Sequence, residues 1–425
     1  MWVYDRDMEY VSDRRRFIRW GAAGLAVGLA GCLGDGDDEG EPSGDDDTGN
    51  GGDTGNGDDG NGEAEIDEGA LYAFAPNTIA VIDPDEGEVI EEITDGLSDE
   101  EWGDPQIAHD HSQLFVVRES PSQVLVIDTA THEIVSEVDI GPDPTHMYHP
   151  TDDEIWAHSD DEGTFYVIDS KSHDVIEIVE SGLDAEGHGK LLYHEDLGGV
   201  GYATNVNDPG LPVMDLDAYE RTDFVEFGEE GGTHYKAYGP QNGLVYGEFG
   251  DETVVVDSET DEVVDRLDFS GGMYLGPGED LLGVLDGDTI RFLDVTDDEH
   301  EEVGTVELED AGPDALRYHE AEDGTLYAIT ANTMNDRAPV IDVDEFEVVD
   351  ELDVGDIVRP EGAPFLHRTG VIHDGQFATP ADDGGTVSIV DVERREVVAE
   401  VEIEEGVDTV QFVGDSGTGY TGRIR

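Results

Sequence analysis

Histidine is the residue type through which this sequence could do chemistry. Fourteen occur in 425 residues, and four of them, His146, His188, His234 and His367, stand at the start of a short run that recurs along the chain. A neutral imidazole is a good ligand for borderline metals such as zinc or copper, and three or four of them make a complete site. No local spacing motif joins these four, so they act together only if the fold gathers them. A second set, His109, His149, His194, His319 and His373, ends the same runs. There an imidazole can cap a turn or bond a neighbouring repeat.

Lysine sharpens the pattern. The chain has only Lys171, Lys190 and Lys236, and the last two each follow a first-set histidine by two residues. At the strand period of two, His188 and Lys190 share a face, as do His234 and Lys236. Two readings follow. The lysines repel a cation and bind an anionic ligand together with Arg317 and Arg368. Alternatively they pair with aspartates such as Asp104 or Asp314, which also steady the rings and leave the histidines to a metal. Both readings stay open from sequence. Catalytic signatures are scarce: H-E-x-x-H, a Walker loop and G-x-S-x-G are all absent, so no catalytic residue is assigned.

The elements that must position these residues are short strands. Residues 124–160 read as strands at 124–128, 133–138, 146–149 and 154–158, joined by polar turns, which is the make-up of one propeller blade. Each copy is marked by an apolar pair or triplet ending in aspartate: Asp83, Asp128, Asp169, Asp215, Asp257, Asp294, Asp342 and Asp391. The copies recur about every 45 residues, one four-stranded blade apiece.

Innermost strands are expected near 106–109, 145–149, 188–194, 234–238, 272–276, 315–319, 364–370 and 408–413, with a further strand at 419–424. The chain starts in mid-blade, with strands at 70–74, 78–83 and 88–93. Its C-terminal strands complete that blade and close the ring, which removes exposed sheet edges. The fold expected is therefore all-β, an eight-bladed β-propeller with almost no helix. Seven blades is the alternative, because the repeat near Asp294 is short and the last is truncated. Innermost strands line the axial channel, so the first-set histidines would converge at one end of it.

The repeat resembles the YVTN or YncE family of β-propellers from Leu71 to the C-terminus, which implies the fold and not an activity. Some propellers that resemble this repeat are lactonases or quinone-dependent dehydrogenases. Within residues 232–257, Gly-Thr-His-Tyr-Lys-Ala and the Val-Val-Val-Asp strand resemble a histidine-bearing blade of the periplasmic zinc metallochaperone propellers that serve ABC importers. That resemblance implies zinc traffic. The sequence departs from it in having Glu248 or Phe249 near the place of a cysteine, and in lacking a histidine-rich loop.

Ahead of the propeller, Arg14-Arg15-Arg16-Phe17-Ile18-Arg19 resembles a twin-arginine export signal, and Leu29-Ala30-Gly31-Cys32 resembles a lipobox. The apolar run between them, at about 10 residues, is half what a membrane span needs. Residues 1–31 are thus expected to be a cleaved lipoprotein signal. Cys32, the sole cysteine, would become the lipidated N-terminus, holding the protein on the outer face of the cytoplasmic membrane. Residues 32–68 are almost entirely Gly, Asp, Glu, Asn, Ser and Thr, too polar to bury a core, and are expected to be a disordered acidic linker. Residues 69–425 form the propeller domain.

A net charge of −87, from 107 acidic against 20 basic residues, excludes nucleic acid as a partner by repulsion. It opposes compaction in dilute buffer, and molar salt screens it. In this the composition resembles that of salt-adapted haloarchaeal proteins.

The functional expectation is an exported, lipid-anchored propeller that binds a ligand, zinc or another transition metal, at one end of its channel. The partners this names are the membrane, through Cys32, and a metal transporter or cell-surface protein. One alternative is an extracellular scaffold that binds proteins or glycans and has an inert channel. Another is an enzyme of lactonase or dehydrogenase type that acts on a small anionic substrate near Lys190, Lys236 and Arg317.

Overall fold

The computed structural model describes residues 66–183, 186–360 and 366–414. The expectations for Arg14, Arg15, Cys32, the linker up to residue 65 and the strand at 419–424 fall outside them. The described residues form eight antiparallel sheets of four strands, each in simple up-and-down order. Seven blades are continuous in sequence, spanning residues 102–139, 144–180, 189–226, 236–267, 272–307, 313–353 and 371–402 (blades 1 to 7). Blade 8 takes its inner strand, Thr409–Phe412, from one end of the chain. Its other three, Leu71–Ala75, Thr78–Asp83 and Glu88–Ile93, come from the other end. Leu71 pairs with Phe412 and Phe74 with Thr409, which closes the ring. Eight blades, not seven, is the count.

The repeating aspartates have a local cause. Each ends the third strand of a blade. Its carboxylate then accepts backbone N–H bonds from the turn that follows: Asp83 from Asp85 and Glu86, both at 3.0 Å, and Asp257 from Glu259 and Thr260 at 2.9 and 3.1 Å. This is the Asx arrangement, which satisfies turn donors that the sheet leaves over. In most of these turns the residue four places after the aspartate is left-handed, as at His132, His173, Tyr219 and Asp261. That conformation throws the side chain back onto the preceding blade. His132 Nδ1 meets the Tyr72 hydroxyl at 2.6 Å, and Tyr202 donates to Asp261 at 2.7 Å. The turns therefore latch each blade to its neighbour.

The core is annular. Eight apolar clusters are found among the described residues, and every one is shared between two adjacent blades. Strand alternation explains this. Leu71, Ala73 and Ala75 pack toward Val387 and Ile389 of blade 7, while Tyr72 and Phe74 pack toward Trp102 and Leu114 of blade 1. Both faces of the middle strands are thus buried, at about 1.5–3 kcal/mol for each large side chain. The outermost strands, such as Glu88–Ile93, are exposed and acidic.

Boundaries differ from expectation mainly on the innermost strands. In blade 7 this strand is Val371–His373, not 364–370, and residues 361–365 are outside the described set. In blades 3 and 4 it is Gly189–Leu192 and Lys236–Gly239, so His188 and His234 precede their strands. Among the described residues a 3-10 turn, Glu195–Leu197, interrupts the strands.

Candidate metal centre

The start of every innermost strand faces the same end of the channel, because all blades share one topology. This brings together residues about 40 positions apart in sequence. His146 lies on the inner strand of blade 2, Pro144–Thr151. His188 stands between two glycines. Gly187 takes φ 140°, and a Cβ there would meet Asn205 Oδ1 at 2.1 Å; a Cβ on Gly189 would meet the Thr204 carbonyl at 2.6 Å. Only glycines let the chain deliver this imidazole so close to blade 3. His234 is seated by Thr233, whose hydroxyl donates to the Gly210 carbonyl at 3.0 Å, and its ring packs on Tyr235 at 4.3 Å between centroids.

One nitrogen from each of His146, His188 and His234 lies within 4.8 Å of the others. The Nε2 atoms of His146 and His188 are 2.9 Å apart. Each Nδ1 is held by a carboxylate at 2.6 Å, that of His146 by Asp104 and that of His188 by Asp160. A carboxylate can only accept, so both Nδ1 atoms carry hydrogen, and in the neutral ring Nε2 is then the nitrogen able to act as a ligand. Asp160 also accepts from His158 Nδ1 at 2.8 Å and from the Thr145 hydroxyl at 3.1 Å.

Burial holds His146 and His234 toward the neutral form. Burial, aided by Lys190 and His188, lowers His146 to about 3 against the pull of Asp104. Burial with Lys190 and His188 also lowers His234 well below the usual range. Burial would raise Asp160, but His188 and His158 outweigh it and hold the carboxyl far below its ordinary value.

The donor set fits a zinc-class ion. Two nitrogens at about 2.0–2.1 Å from a tetrahedral ion lie about 3.3 Å apart, so a few tenths of an ångström separate the His146–His188 pair from a ligated one, and His234 would have to draw in from within 4.8 Å. Carboxylates on the far nitrogens are what orient such ligands. Three nitrogens leave a fourth position open.

His367, expected as a fourth member, is close but not within the trio. Its ring centroid is 6.4 Å from that of His234, and its Nδ1 bonds Asp314 at 3.0 Å. Lys190 and Lys236 are buried beside the trio. Their ammonium groups lie over the rings of Tyr235 and Tyr148, at 5.0 and 5.5 Å from the centroids. Burial lowers both lysines; for Lys190 it is opposed by Asp104, Asp314, Glu248 and Asp160, and for Lys236 it is reinforced by Lys190 and opposed by Asp104. Arg317 is buried over Tyr274, 5.4 Å from the ring centroid. Arg368 does not join the anion-binding group foreseen for it, because its guanidinium is taken up by the carbonyls of Asn332, Val354 and Pro380.

Asp160, His158, Tyr148 and Tyr235 were not among the expected site residues. Asp160 sits in an acidic turn that looks like any solvated one, and a channel-facing carboxylate has no mark in sequence. Of the second histidine set, His194 Nδ1 caps the 3-10 turn by accepting from Asp196 N at 3.1 Å, and His373 packs on the Phe412 ring at 5.6 Å.

No family model matches the chain, and no curated protein matches it. Solved structures do. Dihydro-heme d1 dehydrogenase NirN in complex with DHE aligns with a TM-score of 0.65 at 13% identity, over 83% of this chain and 77% of that one. Apo AztD from Citrobacter koseri aligns at 0.59 and 14% identity, over 81% of this chain and 98% of that one. The computationally designed Ika8 protein aligns at 0.55 and 12%, over 76% and 95%. At such identities the likeness carries the β-propeller fold alone.

Proposed function

We propose that this protein is an exported, lipid-anchored β-propeller that binds a transition-metal ion of the zinc class at one end of its channel. His146, His188 and His234 are the ligands. The observation that carries the reading is the pair of Nε2 atoms facing each other at 2.9 Å with both Nδ1 atoms committed to aspartates. With both Nδ1 atoms donating to carboxylates, the two facing Nε2 atoms are the ones that would hold a shared cation. His367, bonded to Asp314, stands beside His234 at the edge of the trio. The sequence likeness of residues 232–257 to zinc metallochaperone blades points the same way, and makes a metal transporter the favoured partner. Anchoring through Cys32 would keep the propeller at the outer face of the cytoplasmic membrane.

The experiment is zinc analysis of the full chain, purified in molar salt without chelator and then titrated after metal removal. Replacing His146 and His188 together by alanine should remove one equivalent while leaving the β-sheet circular dichroism unchanged. Equal zinc uptake by the variant and the parent would end this reading.

A second reading rests on Lys190 and Lys236, buried beside the trio, and on Arg317, buried on the inner strand of blade 6. In it a small anion is the ligand, bound alone or turned over by an enzyme of lactonase or dehydrogenase type. It requires anion binding that survives loss of the histidines and is lost with Lys190→Met. An inert channel in a scaffold that binds proteins or glycans requires that neither set of changes alter any binding.

A further inference from the structure

The carboxylate that steers His188 is itself gripped from behind. Asp160 Oδ2 accepts from His188 Nδ1 at 2.6 Å, and Oδ1 accepts from His158 Nδ1 at 2.8 Å. The terminal torsion of an aspartate is broad, so a carboxylate with one partner turns easily and one held from two sides does not. The grip continues past His158, whose Nε2 is 3.0 Å from the Ser181 hydroxyl; that hydroxyl also lies 2.7 Å from the Gly163 carbonyl. His158 and Ser181 are fully buried, and the His158 ring packs edge-on against Phe165 with centroids 4.8 Å apart. The backbone beside the ligand reaches this ring as well, since a Cβ on Gly189 would meet His158 Nε2 at 2.8 Å. On the other arm, among the described residues, the Asp104 carboxylate has a hydrogen bond to His146 alone.

A neighbouring hydroxyl makes the grip matter. Thr145 Oγ1 stands 3.4 Å from His188 Nδ1, and 3.1 and 3.2 Å from Asp160 Oδ1 and Oδ2. While Asp160 stays in place it accepts both the Thr145 proton and the His188 proton. With the carboxylate turned away, the hydroxyl becomes the donor to Nδ1, and the imidazole proton belongs on Nε2. There it bonds His146 Nε2, 2.9 Å away, and shuts an ion out of the pair. What holds Asp160 therefore decides which nitrogen of His188 is free.

We propose that His158 is a positioning residue for the trio: acting through Asp160, and without touching an ion, it keeps His188 in the tautomer whose Nε2 can ligate. Ser181, His158 and Asp160 are linked in the order of a hydrolase triad, but a fully buried serine meets no substrate, so the chain orients and does not attack. Its bearing on zinc rests on the reading of His188 as a ligand. The tautomer itself is a property of the metal-free protein.

The test is long-range proton–nitrogen NMR of the metal-free full chain, labelled at histidine nitrogen, in molar salt. Zinc titration against a chromophoric chelator follows on the same samples. In the parent, His188 should carry a proton on Nδ1. His158→Phe keeps a buried ring but cannot donate to Asp160. It should strip that proton from Nδ1 wholly or in part, leave His146 unchanged and weaken zinc about tenfold or more, as loss of an orienting partner does. His158→Gln restores a donor and should bring both readouts most of the way back. A purely structural role predicts lower thermal midpoints for both variants with the tautomer of the parent. If His158→Phe does not fold, Ser181→Ala, which releases the far nitrogen of the same ring, should move the His188 proton in the same direction. An unchanged His188 tautomer in the folded variant overturns the proposal, as does, where the parent binds zinc, an affinity equal to the parent's. A shifted tautomer in a chain whose parent takes up no zinc upholds the positioning role and removes the ligand reading instead.

Discussion

His146 and His188 turn their Nε2 atoms toward each other at 2.9 Å, while Asp104 and Asp160 hold the opposite nitrogens from different blades. The two aspartates are not equivalent. Asp160 is 6% exposed and also ties down His158 and Thr145, whereas Asp104 is 46% exposed at the channel.

Asp160→Asn should therefore weaken zinc binding about 10- to 100-fold, the usual effect of losing the group that orients a ligand. Asp104→Asn should do less. Chelator competition measures both, and equal, unchanged affinities would contradict the assignment. Stoichiometry should stay the same, since the imidazoles remain.

Acid should loosen the metal-free protein well before carboxylates titrate. His146 and His149 sit at about 3 in the folded state, chiefly through burial, against about 6.5 in the unfolded chain. Between those values the unfolded chain holds the protons and the folded one does not. Stability then falls as pH drops from about 6.5, by up to about 1.4 kcal/mol per pH unit for each histidine. Asp160 acts lower. Its folded value is depressed, so its contribution is whole above about pH 4 and is lost as pH falls further. Urea midpoints at constant molar salt should be lower at pH 5.5 than at 7.5, and identical midpoints would refute the shift.

The turn latches should matter to stability and not to metal. Tyr72→Phe removes the contact with His132, and Tyr202→Phe the one with Asp261. Each should cost about 1 kcal/mol, the net worth of an ordinary hydrogen bond, with zinc affinity unaltered. Thermal melts and zinc titrations on the same samples check this. A change in affinity would mean that the latches reach the channel.

Phe412 fills the seam between blades 7 and 8 from the closing strand, fully buried. Phe412→Ala should cost about 3–5 kcal/mol. Removing residues 409–425 should go further, leaving Leu71–Ala75 as an open apolar edge that associates with other copies. Light scattering in molar salt would show it, and a monomeric truncated protein would count against the seam.

The blade count was legible because its signal is local. An apolar pair ending in aspartate serves every turn after a third strand, and Asp83 through Asp391 repeat it eight times. The inner strands were less legible, since they are four residues long in blades 3, 4 and 5 and carry no alternating apolar pattern. So the strand expected at 364–370 begins instead at Val371. The convergence of His146, His188 and His234 followed from ring geometry applied to recurring positions. The role of Asp160 did not follow, for it is one acid among 107 in the sequence. Arg368 looked like a ligand-binding cation, and only three-dimensional packing places backbone carbonyls around it.

The composite blade orders events in time. Residues 102–239 contain all three imidazoles of the trio and both aspartates that steer them, and they emerge early from the ribosome. The strand that joins the circle together comes late and must find a partner from the opposite end of the chain, a search costing about 3 kcal/mol more in chain entropy than a tight hairpin. The histidine pocket can thus mature on four consecutive blades while the circle is still gaping, and a defect at the join would leave a working pocket in an unfinished wheel.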